Sequence, residues 1–213
     1  MNEVQWQVCS DAEKMLCFLR GEASERKHRL FVVAVFRRLQ WFWDRAVETA
    51  ECYADGLVSL RELMEVRMAL LQNARSMYRH MGREDFEAVE KLIRVVTDFC
   101  AAQAASMVVE VPTVVQRVIL CDLLREIFDN PFRPVTISPT YRSWNDATVV
   151  RLAQATYDNR ILPAGTLDNA RLAVLADALE EAGCSDEHIL THLRSGGEHY
   201  RGCFVVDALL GKN

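Results

Sequence analysis

The scarcity of helix-breaking residues constrains this chain more than any other feature. Residues 1–110 contain no proline and only three glycines, whereas three of the five prolines lie within residues 130–144. Inside a helix, proline costs about 3 kcal/mol and glycine about 1 kcal/mol relative to alanine. We therefore predict an all-α fold: an N-terminal helical bundle over residues 1–129, a proline-containing connector over 130–144 and a smaller C-terminal helical unit over 145–213.

Residues 30–36 form the longest apolar run of the chain, seven residues of leucine, phenylalanine, valine and alanine. Their β-propensity is high, but charged helix formers flank the run and no turn signal bounds it closely. We predict a helix that is buried on most sides. The basic residues 26–29, together with Arg37 and Arg38, are expected to form the solvated face of that helix.

Serine residues mark several predicted helix starts. Ser10 with Glu13, and Ser59 with Glu62, have the spacing of a capping box, in which the serine and the acid each bond the other's backbone amide. Ser185 is the expected cap of a short helix with an acidic first turn. The apolar steps of three and four over residues 86–107 predict one continuous helix, and a final helix is predicted from about Glu198 to Leu210.

The charge and the cysteines limit the class of protein. The net charge is −5 and the isoelectric point is near 5.6, so a broad nucleic-acid-binding surface is not expected. The N-terminus has no signal-peptide pattern, and the longest apolar run is far below the roughly 20 residues of a membrane span. Seven cysteines, without a CxxC pair, are typical of reduced thiols. We expect a cytoplasmic protein.

Cysteine and histidine cluster near the C-terminus. His192 lies on a predicted helix with Cys184 at its start, and His199 and Cys203 lie at i, i+4 on the next helix. If the two helices are antiparallel, these four residues form a Cys₂His₂ set that suits tetrahedral zinc. Such a closed site would be structural, because no coordination position stays open. The alternative is that the thiols fill the core and the histidines cap helix ends.

The connector carries the most unusual surface chemistry. Phe132, Arg133 and Trp144 combine aromatic rings with a guanidinium on a proline-stiffened segment, and such residues are typical anchors of protein interfaces. They are the candidate partner-binding residues. The alternative, equally open, is a packed linker whose aromatic rings fill the seam between two helical layers.

Motifs of common enzymes are absent from the sequence, including the P-loop, the nucleophile elbow and HExxH. A thiol or metal centre near Cys203 remains the enzymatic alternative. A helix-turn-helix over residues 172–194 is a second alternative, but its second helix would begin with Asp186 and Glu187, which repel phosphate.

Several strings resemble an uncharacterised domain family that is abundant in planctomycete bacteria. The strings lie at residues 1–11, 15–31, 130–134, 148–158, 175–184 and 199–212, about a third of the chain, and the resemblance extends over both ends and about half of its length. The resemblance implies no established activity. It favours Cys184, His192, His199 and Cys203 over His188 as the ligand set. Family members tend to be cysteine-rich where this chain has residues 33–36, so no role for thiols is expected there.

These observations predict a non-enzymatic helical interaction module, an adaptor or regulatory protein, with zinc as the one cofactor considered for its C-terminal unit. The expected partner is another protein. Nucleic acid and membrane are not expected partners.

Overall fold

A computed structural model describes residues 1–38, 44–77, 83–98, 100–108 and 114–212. Over these residues the chain forms twelve α-helices and no strand, which confirms the predicted all-α fold; two isolated β-bridges are the only extended pairing there. The helices are α1 Glu3–Val8, α2 Ala12–Leu19, α3 Glu25–Arg38, α4 Asp44–Ala54, α5 Leu60–Met77, α6 Arg83–Val96, α7 Ala101–Val108, α8 Val114–Phe128, α9 Pro139–Asp158, α10 Asn169–Glu181, α11 Glu187–Leu193 and α12 Phe204–Leu210. No helix among the described residues is both long enough and apolar enough to cross a bilayer.

The chain divides into two compact units. The first unit, here called the terminal unit, combines Met1–Val8 with Leu124–Asn213, and the second, the central unit, is Cys9–Leu123. The dividing point therefore lies inside α8, and the segment 130–144 belongs to the terminal unit, whereas the sequence placed a boundary at that segment.

Helix α3 is the centre of the central unit. Every side chain of residues 30–36 is buried, and the segment is helical as predicted. The helix packs against α4 and α7.

The expectation of a solvated basic face on α3 is wrong for His28, Arg29 and Arg37, whereas Arg38 is exposed. His28 and Arg29 are buried, and the Arg29 guanidinium lies over the Tyr53 ring at 4.9 Å. Farther along the helix, Arg37 donates to Glu51 at 2.8 Å with both side chains buried. Because long basic side chains have apolar stems, they can be buried when their heads find partners.

The observed helix caps show which of the predicted caps are correct. Ser59 and Glu62 form the predicted capping box, with the Ser59 amide donating to the Glu62 carboxylate at 2.7 Å. At α2 the cap is Asp11 rather than Ser10. At α11 it is Asp186 rather than Ser185, and its carboxylate accepts from two backbone amides. In both corrections a carboxylate one position later has taken the role of the serine.

The apolar pattern over residues 86–107 spans two helices, α6 and α7, instead of one. The chain leaves the helix after Val96, and the Thr97 hydroxyl bonds back to the Ile93 carbonyl at 2.5 Å. Helix α7 then starts with its Ala101 amide donating to the Glu25 carboxylate of α3 at 2.7 Å. A tertiary contact therefore supplies a cap that the local pattern did not contain.

The terminal unit has its own apolar core, formed by α9 to α12. Helix α9 packs against both α10 and α12, and the core includes Tyr157, Leu175 and Val205. Helix α9 is interrupted at residues 144–147, of which Asn145, Asp146 and Ala147 have left-handed backbone angles. The helix resumes after Ala147, close to the boundary at residue 145 where the C-terminal helical unit was predicted to begin.

The predicted helix from Glu198 is wrong over its first six residues, because α12 begins only at Phe204. Residues 198–203 form a non-helical segment. Thr166 pairs with Tyr200 in a β-bridge, and the Leu167 amide donates to the His199 carbonyl at 2.7 Å. Gly202 has a φ of 97°, a left-handed angle that favours glycine and ends any helical path into α12.

Candidate metal centre

Four metal-ligating side chains meet in the terminal unit. One donor atom from each of Glu126, His192, His199 and Cys203 lies within 4.8 Å of the other three. Three of the four residues that the sequence predicted are therefore brought together. The fourth position is occupied by Glu126, which the sequence did not predict.

Cys184 is not a member of this group. Its side chain is buried in the apolar core of the terminal unit, and its backbone amide donates to the Leu179 carbonyl at 2.9 Å just after α10 ends. Its position matches the alternative reading of a small, core-filling thiol. His188, which the sequence analysis set aside, contacts Asp129 instead.

Each donor comes from a different local structure. Glu126 is in the last turn of α8, and His192 is in the last turn of α11. His199 belongs to the segment that the bridge to Thr166 holds in place, and Cys203 is the residue before the first turn of α12. Because two helix ends, one helix start and one bridged segment converge, the group depends on the tertiary fold of the whole unit.

The distances within the group match those between ligands of one small ion. His192 Nε2 lies 3.2 Å from Cys203 Sγ and 3.4 Å from Glu126 Oε2, and His199 Nδ1 lies 3.1 Å from Glu126 Oε1. In tetrahedral zinc with Zn–N near 2.0–2.1 Å and Zn–S near 2.3 Å, adjacent ligand atoms are about 3.3–3.6 Å apart. These three separations are close to the zinc values, whereas the group taken with one donor atom per residue is held only to within 4.8 Å, so the side chains must adjust to bind zinc.

Contacts outside the group orient the two imidazoles. Ser195 Oγ lies 3.0 Å from His199 Nε2, so it can accept a hydrogen bond from Nε2–H in the tautomer whose Nδ1 carries the lone pair that faces the group. The Phe204 ring packs against His192 at a centroid distance of 4.2 Å. Partners of this kind fix ring orientation in metal sites.

Burial changes the pKa of every group in the cluster. Burial lowers the pKa of His192 to about 3, with help from the neighbouring His199 and His188, so this imidazole is neutral at pH 7. Burial raises the pKa of Glu126, although bonding to His199 opposes the shift. Burial alone would lower the pKa of His199, but the Glu126 carboxylate outweighs it and raises that pKa. Both shifts favour the protonated forms of Glu126 and His199, whose Oε1 and Nδ1 atoms lie 3.1 Å apart.

The Cys203 thiol does not have the properties of a nucleophile. Burial, and then the charge of Glu126, raise its pKa well above the usual range. A reactive cysteine needs a lowered pKa and access to solvent, whereas Cys203 is fully buried. A thiolate at this position requires a cation to replace its proton.

Sequence reasoning missed Glu126 because the residue lies 73 positions before His199. One weak signal was present, since Glu126 is a carboxylate within an apolar stretch near the end of α8. Its neighbours Leu124 and Ile127 are buried. A carboxylate with such neighbours needs a partner, but the sequence did not show which one.

The three candidate partner-binding residues have different environments. Phe132 is 38% exposed, and Arg133 is exposed and paired with Glu3 of α1 at 2.9 Å. Trp144 is partly buried and packs against the apolar core of the terminal unit. The exposure of Phe132 and Arg133 fits a surface that binds a partner. The packing of Trp144 fits the alternative of a linker that packs onto the core.

The segment of the predicted helix-turn-helix contains α10 and α11, and the start of α11 is acidic. Asp186 caps the helix and Glu187 occupies its first turn. Two carboxylates at this end oppose an approach to phosphate.

Comparisons with protein-family models, with curated proteins and with solved structures find no match to this chain. The resemblance to the planctomycete domain family therefore stays a prediction.

Proposed function

We propose that this protein is a non-enzymatic helical interaction module whose terminal unit is stabilised by a structural zinc ion. The observation that carries the proposal is the convergence of Glu126, His192, His199 and Cys203 on one buried point. The partner is another protein, for which Phe132 and Arg133 supply the exposed aromatic and cationic surface.

The donor set favours zinc among the common divalent ions. A thiolate and two imidazoles are soft or borderline ligands that suit zinc, whereas magnesium and calcium prefer oxygen alone. Zinc bound by one thiolate, one carboxylate and two neutral imidazoles forms a unit with no net charge. Such a unit can be buried at a far lower desolvation cost than its separate ions.

The geometry favours a structural over a catalytic role. Four protein ligands fill a tetrahedral shell, whereas a catalytic zinc keeps one position for water or substrate. The two least exposed members, His199 and Cys203, are buried. The expected contribution of the ion is stability, because the ligands come from four separate segments of the terminal unit.

The first experiment measures metal content and its effect on folding. We expect the purified protein to contain one zinc per chain by elemental analysis, and a chelator to lower its melting temperature. Cys203→Ala should abolish zinc binding, and Cys184→Ala should keep it. Both variants lose one buried thiol, so each controls for the other. Zinc far below stoichiometry, with no response to chelator, would refute the proposal.

A catalytic zinc site formed by the same residues is the second candidate function. The role of Glu126 distinguishes the catalytic site from the structural one. The Glu126 carboxylate contacts both imidazoles, with Oε2 facing His192 and Oε1 facing His199. If only His192, His199 and Cys203 bind the ion, Glu126 is placed as a general base for a zinc-bound water. Glu126→Gln should then keep zinc at near-normal affinity, whereas a structural four-ligand site should bind zinc much more weakly in this variant.

A further inference from the structure

A second carboxylate–imidazole pair lies one helical turn from the metal centre. Asp129 follows Glu126 by three residues at the end of α8, and His188 precedes His192 by four residues on α11. His188 Nε2 lies 2.8 Å from Asp129 Oδ1. Residues four apart share a helix face, so His188 and His192 lie side by side on α11, and Asp129 is the first residue after the end of α8.

One aromatic ring joins the two pairs. The Phe204 ring stacks on His188 at a centroid distance of 5.1 Å and contacts His192 at 4.2 Å. The two imidazole centroids are therefore no more than about 9 Å apart.

Exposure decreases from the outer pair to the inner one. The His188 side chain is 54% exposed, whereas that of His192 is 15% exposed. The outer imidazole is thus the first metal-binding nitrogen that an ion from solvent meets on this side of the centre.

Asp129 has an unsatisfied oxygen. Its side chain is only 8% exposed, and Oδ2 is buried without a hydrogen-bond partner. The residue also has a left-handed φ of 58°, which costs free energy for a residue other than glycine. A buried, unpaired carboxylate oxygen is expensive, and a cation passing from His188 toward His192 would supply the missing partner.

We propose that His188 and Asp129 form an entry site that captures zinc and transfers it to the inner centre. The inference rests on the proposed function, since it concerns the loading of that same centre. The two outer ligands hold the ion only in transit, because two donors bind zinc more weakly than four. They therefore govern the rates of loading and release and leave the equilibrium affinity almost unchanged.

Stopped-flow mixing of the metal-free full-length protein with cobalt(II) tests the entry site, since the thiolate charge-transfer band reports ligation by Cys203. His188→Phe keeps a ring on Phe204 but removes the nitrogens. Asp129→Asn removes the charge and tolerates the left-handed backbone. Each variant should slow uptake and release together by ~10-fold, an effect within the range of electrostatic capture, with affinity within ~3-fold of wild type. Asp158→Asn, an exposed acid of the same unit, is the matched control and should change neither rate.

The outcomes separate this inference from the proposed function. Wild-type rates in both variants would overturn the entry site and leave the inner centre intact. Faster release with unchanged uptake would also overturn it, because His188 and Asp129 would then only support the inner ligands. The absence of a charge-transfer band in the wild-type protein would overturn both proposals.

Discussion

The two units bury ionisable groups in opposite ways. In the central unit, Arg37 and Glu51 form a buried pair of opposite charge, with side chains 5% and 1% exposed. In the terminal unit, two acids, Glu126 and Cys203, meet two imidazoles with a raised and a lowered pKa. In the central unit, the opposite charges of Arg37 and Glu51 neutralise each other. The acids and imidazoles of the second arrangement can be neutralised either by protons or by a cation, so we expect the terminal unit, and not the central unit, to respond to metal.

Metal removal should give the largest difference in stability between the two units. Binding free energies of structural zinc are folding free energies, so we expect chelation to destabilise the terminal unit by more than about 5 kcal/mol. The central unit should be unaffected. Hydrogen exchange measures this: amides of α11 and α12 should lose protection, and those of α3 should keep it. Equal loss in both units would contradict the comparison.

Removal of one charge should break the buried pair of the central unit. Glu51→Ala deprives the Arg37 guanidinium of its buried carboxylate partner and should cost about 3–5 kcal/mol in denaturant unfolding. Zinc content should not change. Glu65→Ala removes the exposed partner of Arg61 and should cost no more than about 0.5 kcal/mol. The combined change Arg37→Met with Glu51→Leu should recover most of the loss, and failure to recover it would show that packing, not charge, dominates there.

Ser195 tests how the terminal unit orients its ligands. The hydroxyl contacts His199 Nε2 at 3.0 Å, and loss of such a contact typically weakens metal affinity about 10–100-fold. We expect that loss, about 1.4–2.8 kcal/mol, for Ser195→Ala in a zinc competition titration. Ser195→Thr keeps the hydroxyl and should restore affinity. Ser143→Ala removes an exposed hydroxyl that bonds only to carbonyls of its own helix, and it should have no effect.

Zinc affinity should fall as the pH falls. The pKa of Cys203 is raised far above 7 in the metal-free protein, so its thiol holds a proton that zinc must displace. Zinc binding also displaces any proton that the pair of Glu126 and His199 holds in the metal-free protein. His192, with a pKa of about 3, contributes none near pH 7. Affinity should therefore drop at least tenfold per pH unit below 8, about 1.4 kcal/mol.

Calorimetry in buffers of different ionisation enthalpy counts these protons directly. We expect between one and two protons released per zinc at pH 7. A value near zero would mean that the thiol is already ionised in the metal-free protein, contrary to its burial.

The sequence was sufficient where local chemistry decides the structure. It predicted the all-α fold, the buried helix over residues 30–36 and the capping box of Ser59 and Glu62. It also predicted three of the four residues that converge in the metal centre. It failed where distant segments decide. Glu126 enters the centre from 73 positions away in the chain, and the segment around His199 is held by pairing with Thr166 rather than by a helix.

Substitutions at the start of α11 should change the free energy of unfolding least. They compare two neighbouring candidate caps, Asp186 and Ser185. The Asp186 carboxylate accepts from the amides of His188 and Ile189 at 2.9 and 3.4 Å, whereas the sequence favoured Ser185 as the cap. Asp186→Ala should cost about 1 kcal/mol in unfolding of the zinc-bound protein, and Ser185→Ala should cost almost nothing. Because α11 carries His192, fraying of the helix start should be partly resisted by the bound ion, so the cost of Asp186→Ala should rise when zinc is removed. An equal cost in both states would show that the ion holds His192 without stabilising the helix that carries it.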